Sequence, residues 1–127
     1  MWCDVFSPMP GIEELLCRLS TALKTGCLSD TDPIHWSFLE EHYPFLRQFS
    51  HKILSFRVGK RKPDPDIFMA AIKTMKTPPH KCLYVDDLEN NVQGARQVGL
   101  EAVRFESVTQ LEKVLKEYSL LKPQLLS

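Results

Sequence analysis

Three short segments carry side chains whose types and spacing suit chemistry on a phosphate. The first is Leu28-Ser29-Asp30-Thr31-Asp32-Pro33, a hydroxyl set just before a helix start. Backbone N–H groups at a helix N-terminus attract an anion, and the Ser29 hydroxyl adds a donor. The same residue types also make an ordinary capping loop. The second is Gly59-Lys60-Arg61-Lys62-Pro63-Asp64-Pro65. Pro63 biases Lys62 toward extended backbone, and a lysine so directed neutralises a phosphoryl group as a point charge. A solvated basic loop has the same composition. The third is Val85-Asp86-Asp87-Leu88. Two adjacent carboxylates are costly unless a cation, solvent or a proton relieves them. Such oxygens suit Mg²⁺, which often takes one or two carboxylates plus waters and phosphate. The other reading is a helix N-cap at Asp87 with Asp86 in solvent. In that chain order, a hydroxyl, a lysine and an acidic pair fit phosphoryl transfer by positioning and charge neutralisation.

The elements between these segments alternate. Ile12, Leu15, Leu16, Leu19 and Leu23 follow helical spacing from Pro10-Gly11 onward. Thr25 to Ser29 reads as a strand, and Asp32-Pro33 as a cap with proline at the first position of a helix carrying Ile34, Phe38 and Leu39. Lys52 to Phe56 is a further strand candidate, while Phe45 to Ser50 matches no pattern. Asp64-Pro65 repeats the cap and opens a helix with Phe68, Ala71, Ile72 and Met75, ended by Pro78-Pro79. Cys82-Leu83-Tyr84-Val85 is the clearest strand. Val92, Ala95 and Val98 mark a helix stopped by Gly99, Ala102 to Phe105 a strand, and Ser107-x-x-Gln110 a capping box before Leu111, Val114, Leu115 and Tyr118. Such alternation predicts an α/β domain with a parallel sheet. In these sheets ligands bind beyond the carboxyl ends of the strands, which selects the places after Leu28, Phe56 and Val85.

Composition excludes several classes. The chain has 127 residues, 16 basic and 16 acidic, and no net charge. A nucleic-acid footprint would be a basic excess, and nothing here attracts an anionic membrane. The longest strongly apolar stretch, Ile67 to Ile72, is far short of the ~20 residues of a membrane span. The start, Met1 to Phe6, has no basic region before an apolar run, so no signal peptide is expected. Cys3, Cys17, Cys27 and Cys82 form no C-x-x-C pair and no metal-like spacing with histidine. They read as reduced thiols packed as small hydrophobes, with the cytoplasm as compartment.

Residues 10 to 118 resemble the haloacid dehalogenase-like superfamily of hydrolases, in particular sugar-phosphatase-like members. Gly59 to Phe68 is similar to the family's lysine motif, Val85 to Leu100 to its acidic motif, and Leu28 to Asp32 to its serine or threonine motif. The resemblance implies a three-layer Rossmann-like parallel sheet flanked by helices, with 1–127 as a single core domain. It implies that Ser29 binds phosphate, with Asp30 beside it, and that Lys62 steadies both the phosphate and the nucleophile. Asp86 would ligate Mg²⁺, Asp87 would assist, and Gly94 would let helix and sheet approach closely. The partner would be a phosphorylated small molecule.

One departure dominates. The family begins with a central strand ending in Asp-x-Asp, whose first Asp attacks phosphorus and whose second is the general acid/base. Before Gly11 this chain offers only Asp4, with Phe6 two residues later. The cap is missing too, so the expectation is a core truncated at its N-terminus, its central first strand absent and its catalysis lost. The strands flanking that gap should then lie roughly 9.6 Å apart with nothing between them, and unpaired edges invite a partner strand or self-association. Met1 to Phe6 is apolar enough to fill the gap, but only some five residues separate it from the first helix. Two alternatives follow. One is a non-catalytic module that binds phosphate and Mg²⁺ or accepts a strand. The other is a phosphatase using Asp30-x-Asp32 as its nucleophile motif, which would leave the hydroxyl role to Ser50 or Ser55.

Overall fold

The computed structural model describes residues 3–7, 12–20 and 23–118. The elements are β1 (Cys3–Phe6), α1 (Glu13–Ser20), β2 (Lys24–Ser29), α2 (Pro33–His42), β3 (His51–Leu54), α3 (Ser55–Val58), α4 (Pro65–Met75), β4 (Cys82–Asp86), α5 (Glu89–Gln97), β5 (Glu101–Arg104) and α6 (Val108–Glu117). The five strands form one parallel sheet in the order β3-β2-β1-β4-β5. The expected α/β class holds, and no helix among the described residues is long and apolar enough to cross a membrane.

The sheet is complete at its centre, against the expectation of a missing strand. Val5 pairs with Gly26 of β2 on one side and Tyr84 of β4 on the other, and Phe6 with Cys27 and Val85. Successive strand residues face opposite sides, so Val5 and Phe6 enter different apolar layers and both are buried. Each such burial contributes about 1.5–3 kcal/mol. The short link to α1 is no obstacle, because strand-to-helix loops commonly run about 2–6 residues. The central gap proposed as a strand acceptor and route to self-association is therefore closed by the chain itself. The sheet's outer strands are β3 and β5, as in any open sheet.

One layer packs Ile12, Leu15, Leu16 and Leu19 with Leu111 and Leu115 against Phe6, Leu83 and Val85. The other packs Ile67, Phe68, Ala71 and Met75 with Val92 and Ala95 against Val5, Leu28 and Tyr84. Helix starts are capped as the sequence suggests. Asp32 accepts from His35 N at 2.9 Å, Asp64 from Asp66 N at 2.9 Å and Ser107 from Gln110 N at 3.1 Å.

Several local expectations need correction. Trp36, not Ile34 or Phe38, is the buried side chain of α2; Ile34 is 82% exposed. The unassigned stretch after Tyr43 is a 3₁₀ turn, Pro44–Gln48, that buries Leu46. β3 ends at Leu54, and Ser55 and Phe56 already belong to α3. Cys27 fits the reading of a packed thiol, and burial pushes its pKa up to about 12. Cys82 does not, because it is disulfide-bonded; the register sets Cys3 opposite it.

Candidate functional site

β1, β2 and β4 run side by side in the same direction, so their carboxyl ends bring Ser7, Ser29 and Asp86 to one edge of the sheet. The loop before α4 delivers Lys62 into this edge. The Lys62 side chain is 7% exposed, and its ammonium donates to Ser7 Oγ at 3.0 Å, Leu28 O at 3.3 Å and Asp86 Oδ2 at 3.4 Å. Its backbone N–H donates to Asp30 Oδ1 at 2.9 Å, which ties the lysine loop to the end of β2. Gly94 completes the placement. A Cβ there would meet Pro63 Cβ at 2.9 Å and Phe68 at 3.0 Å, so its missing side chain lets α5 close on the lysine loop and α4 rather than on the sheet.

Asp86 is the hub. Its Oδ2 accepts from the Tyr84 hydroxyl, from Asn91 Nδ2 at 3.0 Å and from Lys62, and its Oδ1 accepts from Leu88 N at 2.9 Å. Burial by itself would raise its pKa; Lys62, Tyr84 and the Leu88 N–H outweigh this and hold it below the usual carboxylate range. Asp87 is exposed and shifts the other way, raised by its hydrogen bond to Asp86 and by partial desolvation. Burial first, then the Asp86 charge, keeps the Tyr84 hydroxyl protonated far above its ordinary range.

Mg²⁺ does not fit this arrangement at Asp86. The ion usually keeps several waters, and a carboxylate side chain that is 1% exposed, with three donors on Oδ2 and one on Oδ1, leaves no room for them. Among the described residues no three acidic, histidine or cysteine groups converge as a metal site. The expected division of labour is inverted in the geometry: Asp86 serves the lysine, and Asp87 is the carboxylate open to solvent.

Ser29 is buried, and among the described residues its hydroxyl has no hydrogen-bond partner. Asp32 is an exposed helix cap, held by His35 N and by the His35 ring at 2.5 Å, and these contacts lower its pKa. Ser50 donates to Thr25 O at 2.9 Å. Ser55 donates to Thr31 O at 2.9 Å and accepts from Thr31 N at 2.8 Å. Both hydroxyls brace backbone, and Asp30 braces the lysine loop. Next to Asp30 opens a cleft of about 450 Å³, lined by Thr31, Asp32, His35, Leu39, Ser55 and Arg61.

Sequence reasoning missed Ser7, Tyr84 and Asn91. Ser7 directly follows β1; its N–H donates to Val85 O at 2.9 Å, and its hydroxyl meets Lys62. The signal available was a hydroxyl immediately after the apolar pair Val5-Phe6. Tyr84 stands two residues before Asp86, which puts both on one face of a strand. Asn91 lies in the quoted acidic motif but was given no role.

The family description "haloacid dehalogenase-like hydrolase" matches residues 1–99. Flavin mononucleotide hydrolase 1 of Arabidopsis thaliana is 28% identical over 112 residues, 88% of this chain and 46% of that protein. Glyceraldehyde 3-phosphate phosphatase of Pyrococcus furiosus is 31% identical over 120 residues, 87% of this chain and 48% of that protein. The chain thus spans about half the length of these relatives. Among solved structures, an uncharacterized protein of Corynebacterium glutamicum superposes with a TM-score of 0.76 at 20% identity, covering 96% of this chain and 98% of its own. A HAD-family enzyme of Bacteroides thetaiotaomicron, solved with magnesium and inorganic phosphate, gives 0.70 at 26% identity, covering 77% of this chain and 54% of its own.

Proposed function

We propose, from the premise that this chain belongs to the haloacid dehalogenase-like hydrolases, that it binds the phosphate of a phosphorylated small molecule at Ser29 and Lys62 without hydrolysing it. The observation that carries this reading is the contact between Lys62 and Ser7 at the end of the central strand. That is where the family resemblance implies the attacking aspartate. Two residues on, Met9 stands where the second acidic residue would be.

Ser7 is poorly equipped to replace an aspartate. An alcohol needs a base to attack phosphorus, and the side-chain nitrogen that meets the Ser7 hydroxyl is the Lys62 ammonium. An ammonium has three N–H donors, and Lys62 directs all three, to Ser7, Leu28 and Asp86. It therefore acts as a charged donor to Ser7 rather than as a proton acceptor. The contacts to Leu28 and Asp86 are long, so a phosphate oxygen can exchange with one of them. The Ser29 hydroxyl supplies a further donor from β2.

Relatives act on phosphorylated small molecules, as the glyceraldehyde 3-phosphate phosphatase does. The cleft beside Asp30 offers room for the rest of such a ligand, with the Arg61 guanidinium available to it. Mg²⁺ accompanies phosphate in the Bacteroides enzyme. In this chain Asp87 is the exposed carboxylate to which a hydrated ion would come, and phosphate binding is expected to persist without it.

The test has two arms on the purified chain. Turnover of a generic phosphomonoester is expected to be absent with or without Mg²⁺. Inorganic phosphate is expected to shift the backbone amide resonances of Ser29 and Lys62. Mg²⁺-dependent turnover would overturn the reading, and its loss in Asp30→Asn would assign the nucleophile to the end of β2.

A further inference from the structure

Among the described residues, Tyr84 is the one aromatic residue whose polar group enters the site. Its ring lies buried in the apolar layer beneath α4, edge-on to Phe68 with centroids 5.2 Å apart. Its hydroxyl emerges at Asp86 Oδ2. Two other donors reach the same oxygen, Asn91 Nδ2 at 3.0 Å and Lys62 Nζ at 3.4 Å. A carboxylate oxygen has two lone pairs, so three donors compete for it. Tyr84 makes the shortest of the three contacts and Lys62 the longest.

We infer that Tyr84 is a positioning residue for Lys62: by occupying Asp86 Oδ2 it holds the carboxylate off the ammonium and leaves the lysine's charge directed at Ser7 and the Leu28 carbonyl at the end of β2. The hydroxyl works through Asp86, not on a ligand. An ion pair closed tightly against Asp86 would neutralise Lys62 and turn it from the end of β2. The chain instead keeps a buried ammonium at long range from its counter-ion, because two neutral donors already satisfy that oxygen. Asn91, from α5, makes the second of these contacts.

Phe is the informative replacement, because it keeps the ring and its packing on Phe68 while removing the hydroxyl. Tyr84→Phe leaves Oδ2 with fewer donors, so Lys62 moves onto it. Two readouts follow. The first is the ¹⁵N–¹H resonance of the Lys62 ammonium in the ligand-free full chain, expected to move in Tyr84→Phe and, by the same route, in Asn91→Ala. The second is affinity for inorganic phosphate, expected to weaken about three- to tenfold, the scale of one hydrogen bond. The second readout rests on the proposed phosphate site, and the first does not.

An ammonium resonance unmoved in folded Tyr84→Phe overturns the inference, as does a moved resonance with undiminished phosphate affinity. Failure of the wild-type chain to bind phosphate overturns the proposed function, while the ammonium resonance still decides the role of Tyr84. Should Tyr84→Phe not fold, Asn91→Ala reads the same oxygen and decides in its place.

Discussion

The ends of β4 and β2 are neighbours on the same edge of the sheet, separated by β1, yet they are finished differently. Asp86 at the end of β4 is closed from solvent and engaged by Tyr84, Asn91, Lys62 and Leu88. Ser29 at the end of β2 has no hydrogen-bond partner among the described residues, and the next residue, Asp30, lines an open cleft. Both obey the rule that function gathers beyond strand ends. The rule does not say which end is structural and which receptive. Intramolecular partners decide that, since a group whose lone pairs are satisfied holds the fold and one left unsatisfied can hold a ligand.

The largest test of this contrast is Lys62→Met, which strands the Asp86 carboxylate in the interior. Breaking a buried pair this way is expected to cost about 3–5 kcal/mol, read by urea denaturation. Ser29→Ala removes a buried hydroxyl that makes no hydrogen bond among the described residues, so it should cost far less stability than Lys62→Met while abolishing the phosphate-induced amide shifts. A Ser29→Ala penalty as large as that of Lys62→Met would erase the distinction.

Next comes Gly94→Ala. The added methyl meets Pro63 and Phe68 at 3.0 Å or less, and overpacking of this kind costs about 1–3 kcal/mol. Because Pro63 adjoins Lys62, the same substitution should weaken phosphate binding. A loss of stability with phosphate affinity intact would separate the packing of α5 from the placement of the lysine.

The pH dependence sharpens the comparison within the acidic pair. The Asp86 pKa is lowered on folding, so its contribution is present above the unfolded carboxylate value and is lost as pH falls through the lower folded one. The Asp87 pKa is raised, so the folded chain holds that proton more tightly. Stability from Asp87 therefore falls as pH rises from the unfolded value through the raised one. Asp87→Asn should raise Tm slightly at neutral pH, with the gain vanishing in acid where Asp87 is protonated in either state. A gain constant across that range would show that the two carboxylates do not interact.

The smallest effect is expected of Arg61→Gln at the open cleft. It should leave stability within about 0.5 kcal/mol and spare binding of inorganic phosphate, while weakening a larger phosphorylated ligand. Titration with both ligands checks this.

Much of the site was legible before any coordinates. Asp64-Pro65 and Ser107-x-x-Gln110 announced helix starts because capping is local chemistry. The serine and acidic segments sit at strand ends because periodicity places strand ends, whereas the lysine segment lies in the loop between α3 and α4. Ser7 was not legible as a site residue, because nothing in Cys3-Asp4-Val5-Phe6 says that four residues will be sandwiched between two other strands. Only pairing with β2 and β4 together makes so short a strand stable, and those partners come from distant parts of the chain. Asp86 was misjudged for a related reason. Sequence reasoning assigned the metal to Asp86 and an assisting role to Asp87, but in a strand neighbours point to opposite faces, and the residue after Asp86 already leaves the strand.

The sequence by itself determined the α/β alternation, the helix caps and the chemical identity of the hydroxyl, lysine and acid segments, since each depends on residues a few positions apart. Tertiary structure alone decided that the central strand is present, that Ser7 meets Lys62, and that Asp86 belongs to the lysine. Those facts rest on which side chains reach the same buried oxygen or the same sheet edge. Such convergence is set by the packing of β1, β4, α5 and the lysine loop against one another, and no local pattern encodes it.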